Sequence, residues 1–298
     1  MILSKDFFEE FELDLTGTCN LQCPLCSRNY KHAQHMNKKN IRPLSDIIKQ
    51  LDNFPNLKRA FIAGQVSEPT LYPELINYLK YLKSRNIYVE LFSNASIKND
   101  KLWEDIAKTL DNNDQIHFTI CGDNQTDHEK YRIGSKLENI LHNKNIVQSI
   151  KKIDYCQFIR FEYNKDQFDN ILKFNFTKSY IVESEGPRFI NNKIKEPLFG
   201  VHPVHHRLNN INTLLKLRPL SGSKIKINCK SLRDKKIYID QFGNESACYV
   251  HHEYSPKNIF TNNMYNYNDI LNFTFDECWA CSDRCDRFIK TLNLEFIC

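Results

Sequence analysis

The sequence predicts an α/β fold with a parallel sheet, and two observations support the prediction. Strand-like and helix-like segments alternate in regular pairs from the N terminus to about Glu185. Hydrophobic residues make up 41% of the 298 residues, which is enough for a sizeable core. Consecutive strand–helix pairs require parallel strands joined by right-handed crossovers. We therefore expect one large α/β domain followed by a smaller unit.

The apolar pattern also gives the order of the elements. Ser45 is a suitable N-cap for the first helix, and Pro73 precedes the second. The predicted strands cover residues 11–15, 59–63, 87–92, 115–121, 155–163 and 179–183. The predicted helices, one after each of the first five strands, carry Ile47, Ile48 and Leu51; Leu75, Leu79 and Leu82; Leu102, Ile106 and Leu110; residues 137–150; and Phe168, Ile171 and Leu172.

Three cysteines follow the first strand with the spacing C-x3-C-x2-C, at Cys19, Cys23 and Cys26. Three thiolates can hold three corners of a cubane iron–sulfur cluster, which leaves its fourth iron open to a small molecule. A structural zinc site needs four ligands, and here His32 or His35 would have to supply the fourth. The chain has 11 cysteines, an odd and sparse number, and no signal peptide precedes them, so we expect reduced thiols in the cytoplasm.

This cysteine loop resembles the hallmark of the radical S-adenosylmethionine (SAM) superfamily, with Leu25 where most members carry an aromatic residue. The resemblance implies a partial (β/α)6 TIM-type barrel with the loop at the C-terminal ends of its strands. It also implies a 4Fe-4S cluster whose open iron binds SAM, and a reductant such as flavodoxin or ferredoxin. One electron cleaves SAM in such enzymes, and the resulting 5'-deoxyadenosyl radical abstracts hydrogen from a substrate.

The same resemblance implies a set of SAM-binding residues at the strand ends. Gly64 and Glu68 lie in Gly-Gln-Val-Ser-Glu-Pro, which is similar to the Gly-Gly-Glu-Pro stretch of the superfamily. Ser93 and Asn94 end the third strand, where the family contacts the ribose and methionine portions of SAM, and Glu183 ends the sixth. Glu68 also fits a turn before a helix, and Asn94 also fits the cap of the following turn.

Strand alternation predicts which polar side chains enter the barrel. His117, Thr119 and Cys121 would face the lumen from the fourth strand, and Arg160 and Glu162 from the fifth, with the intervening apolar residues toward the helices. An accessible, unligated Cys121 would donate hydrogen to a radical and would make the enzyme redox-neutral rather than oxidising. Arg160 would orient an anionic or hydroxylated substrate, and Glu162 would assist its deprotonation. The alternative is that these inward charges pair with one another.

A second group of cysteines lies near the C terminus. Cys229 and Cys248 flank a predicted hairpin at residues 237–244, in a C-x13-G-x4-C pattern that includes Gly243. This pattern resembles the opening of the SPASM and twitch modules that follow radical SAM barrels. The cysteines from Cys229 onward suffice for one closed auxiliary 4Fe-4S cluster, and a zinc ribbon is the alternative. The predicted ligands come from Cys229, Cys248, Cys278, Cys281 and Cys285.

The predicted organisation has three parts: a barrel at residues 1–186, a bridging segment at 187–228 and an auxiliary cluster module at 229–298. An enzyme that oxidises or rearranges a small polar substrate is the expected function, and a peptide-modifying maturase is the alternative. A non-catalytic metal-binding module is the hypothesis from another class. The net charge of +5 is spread along the chain and no apolar run is long enough for a membrane span, so neither nucleic-acid nor membrane partners are expected.

Overall fold

The structure is a computed structural model that describes residues 2–24, 26, 28, 40–183, 231, 234–246, 260–261 and 264–266. The strands are β1 (Ile2–Ser4), β2 (Glu10–Leu13), β3 (Arg59–Ile62), β4 (Tyr88–Ser93), β5 (Gln115–Ile120), β6 (Asp154–Arg160), β7 (Lys178–Glu183), β8 (Lys236–Ile239), β9 (Glu245–Ser246), β10 (Phe260–Thr261) and β11 (Met264–Asn266). The α-helices are α1 (Leu44–Leu51), α2 (Leu75–Ser84), α3 (Asp100–Thr109), α4 (Gln125–Tyr131), α5 (Leu137–Ile150) and α6 (Phe168–Leu172).

One eight-stranded sheet forms the framework, in the order β7-β6-β5-β4-β3-β2-β8-β9. Every neighbouring pair from β7 to β8 is parallel, and β9 pairs antiparallel with β8. The predicted parallel α/β architecture is therefore confirmed. A separate antiparallel sheet has the order β1-β11-β10. In the part of the chain that the structure describes, no helix is long and apolar enough to cross a membrane.

The strand β8 lies beside the first barrel strand, although it comes more than two hundred positions later in the chain. It pairs with β2 in parallel along its whole length, and Ile237 and Ile239 enter the main core. The predicted hairpin is present between β8 and β9, with Gly243 at a φ of +90° in its turn. Asp240 closes this turn, because its Oδ1 accepts from the backbone N–H of Asn244 at 2.7 Å. The three-part division of the chain remains a prediction.

The main core lies between the sheet and the helices. In β5, Ile116, Phe118 and Ile120 are fully buried there, as the alternation of the sequence predicts. Trp103 of α3 packs on Phe118 with 5.3 Å between the ring centroids, and its indole N–H donates to the Ile97 carbonyl at 3.2 Å. A buried tryptophan with its N–H satisfied removes a large apolar area from water, so this contact fixes α3 against the sheet.

Two elements differ from the sequence prediction. The fifth predicted strand, β6 in the structure, ends at Arg160 rather than at residue 163. A short 3-10 helix, Glu162–Asn164, follows it. Asn164 causes the turn, because its Oδ1 accepts from the Phe161 N–H at 2.6 Å and ends the extended chain. Helix α4 was not predicted, and it begins after Asn124, whose side chain accepts from the backbone N–H at the third helical position.

Several predicted features lie outside the described residues. These are the bridging segment, Leu25, His32, His35, Cys229, Cys248, Cys278, Cys281 and Cys285. Of the predicted cofactor residue Glu183 only the backbone is described, as the last position of β7.

Candidate functional site

The three N-terminal cysteines open on one cavity at the C-terminal ends of the barrel strands. Cys19, Cys23 and Cys26 line this space of about 500 Å³, and all three are free thiols. The same cavity is lined by the predicted cofactor residues Gly64, Glu68, Ser93 and Asn94. The fold therefore brings together segments that are separated by about seventy positions in the sequence.

The cysteine loop is held on two sides by contacts with other strand ends. Asn20 donates from its amide to the Ser96 hydroxyl at 2.7 Å, beyond the end of β4. The backbone N–H of Gln22 donates to the carbonyl of Ile133 at 3.2 Å, beyond α4. Arg28 donates to the Leu21 carbonyl at 3.1 Å and so closes the loop on itself. The positions of the cysteines are thus fixed by the polypeptide itself.

The donor set fits a cubane cluster. Among the described residues, no three Cys, His, Asp or Glu side chains come close enough together to share a single metal ion. In a cubane each thiolate binds a different iron, so the sulfurs stand further apart. Burial raises the pKa of Cys19 and raises that of Cys26 to about 11, so both are neutral thiols at pH 7 in the free protein. A bound metal supplies the positive charge that deprotonates such ligands, and binding then releases protons.

Gly64 occupies a backbone conformation that other residues rarely adopt. Its φ is +57°, and a Cβ atom at this position would lie 2.5 Å from the Ser67 carbonyl oxygen and 3.0 Å from Pro69 Cδ. A side chain would therefore clash with the backbone of the turn that follows β3. Close approach of SAM is the reason predicted from the sequence for a small residue here, whereas the structure gives a reason within the chain.

Glu68 joins the ends of β3 and β4. Its Oε1 accepts from the Thr70 N–H at 3.1 Å, the Thr70 hydroxyl at 2.7 Å and the Ser93 hydroxyl at 2.7 Å. Its Oε2 accepts from the Asn94 N–H at 2.8 Å, and the residue is only 2% exposed. A carboxylate offers about two acceptor positions on each oxygen, so the chain's own donors occupy Oε1 fully and Oε2 in part. Glu68 therefore positions its neighbours, and its predicted contact with the SAM ammonium group remains a prediction.

Asn94 continues this network to the cysteine loop. Its amide nitrogen donates to Asn20 Oδ1 at 3.0 Å and lies 3.7 Å from Cys19 Sγ. Its Oδ1 accepts from the hydroxyl of Ser96 at 2.7 Å and from the N–H of the same residue at 3.0 Å. The side chain of Asn94 therefore caps the following turn, as predicted, and also lies beside the cysteine loop.

The inward face of β5 agrees with the prediction at two of its three positions. Thr119 lines the cavity, and His117 stacks on the cavity residue Phe92 with 4.1 Å between the ring centroids. The Nδ1 atom of His117 lies 2.8 Å from the Tyr180 hydroxyl. Burial, together with the nearby Arg59, lowers the pKa of His117 to about 4, so the ring is neutral at pH 7.

The third position, Cys121, does not line the cavity. It is fully buried in a small cluster with Phe161, packed against Tyr131 and Tyr163. Burial raises the pKa of the Cys121 thiol to about 11, and the carbonyl of the residue accepts from the Tyr163 hydroxyl at 2.9 Å. The predicted lumen position of Cys121 is therefore wrong, because the strand ends at residue 120 and the chain turns into α4.

The predicted inward face of β6 is wrong by one residue. Gln157 and Ile159 line the cavity, while Phe158 belongs to the helix-side core. Arg160 is half-buried and is not among the lining residues. Glu162 is exposed in the 3-10 helix and pairs with the Lys165 ammonium at 2.6 Å. The prediction failed because apolar residues do not all face the helices: the cavity wall itself includes Ile159.

The lumen also contains charged residues that were not predicted from the sequence. Glu12 and Lys236 line the cavity and form an ion pair of 2.8 Å, and the ammonium lies 3.8 Å from the centre of the Phe61 ring. Below them Arg59 pairs with Glu90. The predicted alternative, in which inward-facing charges pair with one another, is thus observed in the lumen. The paired residues are not the predicted Arg160 and Glu162. The alternation of acidic and apolar residues at positions 10–15 contained a signal for Glu12, whereas nothing local identified Lys236.

Comparisons with known proteins agree with this geometry. Residues 13–168 match the model of the radical SAM superfamily. A curated relative, the tungsten-containing aldehyde ferredoxin oxidoreductase cofactor-modifying protein of Pyrococcus furiosus, is 23% identical over 96 residues. That alignment covers 32% of this chain and only 26% of the relative.

Two solved structures share the fold. Streptococcus suis SuiB bound to the precursor peptide SuiA matches with a TM-score of 0.62 and 15% identity, over 90% of this chain and 65% of SuiB. Native anSMEcpe with bound AdoMet and the Cp18Cys peptide matches with a TM-score of 0.58 and 14% identity, over 90% of this chain and 81% of that protein. At these identities the likeness establishes the architecture, and the family match covers more than half of the chain. The chain therefore belongs to the radical SAM superfamily, whose members use a 4Fe-4S cluster and SAM.

Proposed function

We propose that this protein is a radical SAM enzyme that abstracts hydrogen from a substrate in the barrel lumen. One observation carries the proposal: three free thiols with the superfamily spacing line the same cavity as the Gly64 turn and Asn94. When bound, the cluster and SAM supply one electron and a 5'-deoxyadenosyl radical. A closed, well-positioned site is needed for such a radical, because water and loose side chains would quench it.

The residues of the chain hold and orient the reactants. Cys19, Cys23 and Cys26 would bind three irons of the cluster and leave the fourth iron for SAM. Glu68 fixes the two strand ends through its four accepted hydrogen bonds, so that Asn94 faces the cysteine loop. This arrangement supports the SAM-binding assignment of Gly64, Glu68, Ser93 and Asn94, and that of Glu183 rests on its place at the end of β7.

The cavity supports a polar substrate. Its volume of about 500 Å³ lies within the roughly 300–1,000 Å³ typical of small-molecule sites. The far wall carries Gln157, Thr119 and the Glu12–Lys236 pair, which offer both donors and acceptors. A small polar molecule remains the leading candidate. A peptide is the second candidate, because two structures of the same fold were solved with bound peptides.

An auxiliary 4Fe-4S cluster completes the proposal. Its ligands would come from Cys229, Cys248, Cys278, Cys281 and Cys285, and it would take the electron that remains on an oxidised substrate. The β8–β9 hairpin between the first two of these cysteines supports this arrangement, and a zinc ribbon is the alternative. The free thiols support a reducing, cytoplasmic location, with flavodoxin or ferredoxin as the reductant. The proposal includes no nucleic-acid or membrane partner.

The test is anaerobic reconstitution followed by iron analysis and reduction with dithionite in the presence of SAM. We expect about eight irons per chain, as two cubanes require, and formation of 5'-deoxyadenosine. Changing Cys19, Cys23 or Cys26 to Ala should abolish that product. Cys156→Ala is the matched control, because this cysteine is buried in the core among apolar residues. Stable zinc binding without SAM cleavage would instead support the non-catalytic metal-binding module.

Isotope transfer separates the two substrate classes. Deuterium-labelled peptides or a deuterium-labelled pool of small metabolites would be supplied to the reduced enzyme. Mass spectrometry of the 5'-deoxyadenosine then shows which pool donates the abstracted atom. Deuterium from the small-molecule pool would support the leading candidate, and deuterium from peptides alone would establish the second.

A further inference from the structure

Arg132 places its guanidinium beside one of the three cysteines. Its Nη1 atom lies 3.9 Å from Cys23 Sγ, and both residues line the cavity. The guanidinium also lies beside the thiol of Cys121. Cys121 is fully buried in an apolar cluster and is not one of the predicted cluster ligands. Cys23 is the sulfur that becomes a thiolate when a cluster is bound.

The segment that carries Arg132 is rigidly attached to the end of β5. The Arg132 N–H donates to the His128 carbonyl at 3.0 Å, which ends helix α4. The imidazole of His128 is buried, with Nδ1 accepting from the Cys121 N–H at 3.3 Å and Nε2 lying 3.0 Å from the Ser135 hydroxyl. A Cβ atom on Gly122 would lie 2.3 Å from the backbone nitrogen of His128, so helix α4 packs directly on the backbone at Gly122.

The next residue connects this segment to the cysteine loop. The carbonyl of Ile133 accepts from the N–H of Gln22, which precedes Cys23. The two backbone segments that carry the guanidinium and the sulfur are therefore joined by a hydrogen bond that involves neither side chain.

Besides the cysteine sulfurs, the guanidinium carbon of Arg132 lies 5.8 Å from the centre of the Tyr131 ring. Among the described residues, no carboxylate forms an ion pair with Arg132, and its buried Nε atom has no hydrogen-bond partner. A buried guanidinium without a counterion is costly, and a thiolate on an iron–sulfur cluster would supply the missing negative charge. The arrangement therefore suits the cluster-bound state better than the free protein.

We propose that Arg132 is a positioning residue that donates a hydrogen bond to Cys23 and raises the reduction potential of the SAM-binding cluster. Reduction adds one negative charge to the cluster, and a fixed positive charge nearby stabilises the reduced form more than the oxidised form. Hydrogen bonds to the sulfurs are among the features that set the potentials of such clusters. The inference rests on the proposed function, because it requires the cluster on Cys19, Cys23 and Cys26.

The test is a redox titration of the reconstituted full chain, followed by electron paramagnetic resonance of the reduced cluster. To isolate the SAM-binding cluster, the variants are made in a background in which Cys229 and Cys248 are Ala. In Arg132→Gln we expect the ratio of reduced to oxidised cluster at a fixed potential to fall about tenfold. This corresponds to a midpoint that is about 59 mV lower for a one-electron couple. Arg132→Lys keeps the charge and should shift the midpoint less.

Two controls separate this role from general effects. Lys108→Gln removes one positive charge from the exposed face of α3, where Lys108 pairs with Glu104, and should leave the midpoint unchanged. Cys121→Ala tests which sulfur matters, and it should also leave the midpoint unchanged. An unchanged midpoint in Arg132→Gln, with four irons bound, would overturn the inference while leaving the proposed function intact.

The remaining outcomes are also decisive. Loss of iron from both Arg132→Gln and Arg132→Met would overturn the inference, because the arginine would then be needed to build the site. A shift in Cys121→Ala equal to that in Arg132→Gln would overturn it as well, since the guanidinium would act through the wrong sulfur. Failure of the unsubstituted Arg132 protein to assemble any cluster would instead overturn the proposed function.

Discussion

Glu68 is expected to contribute more to stability than any exposed carboxylate of the barrel. Replacing it with Gln keeps the size of the side chain but converts one acceptor oxygen into an NH₂ donor. If the remaining oxygen serves the three donors now bound to Oε1, the new NH₂ faces the Asn94 N–H, which now donates to Oε2 at 2.8 Å. Two donors then meet in a site where Glu68 is only 2% exposed.

The expected cost follows from these contacts. A hydrogen bond to a charged group is worth about 1.5–3 kcal/mol, and a buried donor without a partner costs about 1–3 kcal/mol. One such bond is lost and the three others lose their charge assistance, so we expect Glu68→Gln to lower the free energy of unfolding by about 2–4 kcal/mol. Glu68→Ala removes the acceptor for all four donors and should cost more.

Urea unfolding of the metal-free chain measures this cost. The fluorescence of the fully buried Trp103 reports on the barrel core, and circular dichroism provides an independent signal. Glu104→Gln is the matched control, because Glu104 is a partly exposed carboxylate that pairs with Lys108 on α3. We expect the control to change stability by less than about 0.5 kcal/mol. Equal effects of the two substitutions would show that the network around Glu68 does not hold the strand ends.

Three further predictions concern backbone strain, pH and the second cluster. Gly64→Ala should lower the free energy of unfolding in urea more than Gly134→Ala does. Both glycines have a positive φ, but only at Gly64 would the new Cβ lie 2.5 Å from a backbone oxygen. Equal losses of stability in the two variants would contradict the clash. Burial, reinforced by nearby carboxylates, raises the pKa of Asp14 to about 7, so this group favours folding below about pH 4 and that contribution is lost as the pH rises through 7. Asp14→Asn should therefore gain stability relative to the unsubstituted chain between pH 5 and pH 8, and a pH-independent difference would refute the shift. Replacing Cys229 and Cys248 together by Ala should lower the iron content from about eight to about four per chain while SAM cleavage persists; unchanged iron would remove these cysteines from the ligand set.

Local patterns in the sequence predicted most of the barrel. The alternation of strand and helix periods depends on neighbouring residues, so the six N-terminal barrel strands and their order could be read directly. The outward face of β5 was correct for the same reason, because Ile116, Phe118 and Ile120 are all strongly apolar. In β6 the rule failed, since Ile159 lines the cavity and Phe158 belongs to the core. Hydrophobicity alone does not distinguish a cavity wall from a helix contact.

The sequence by itself determined the family, because the spacing of Cys19, Cys23 and Cys26 is a property of one continuous segment. Only the tertiary structure decided which distant residues complete the site. Lys236 reaches the lumen because β8 pairs with β2, and Arg132 meets Cys23 because α4 packs on the end of β5. The physical reason is that such contacts depend on strand order and packing over more than a hundred positions, which no local periodicity records.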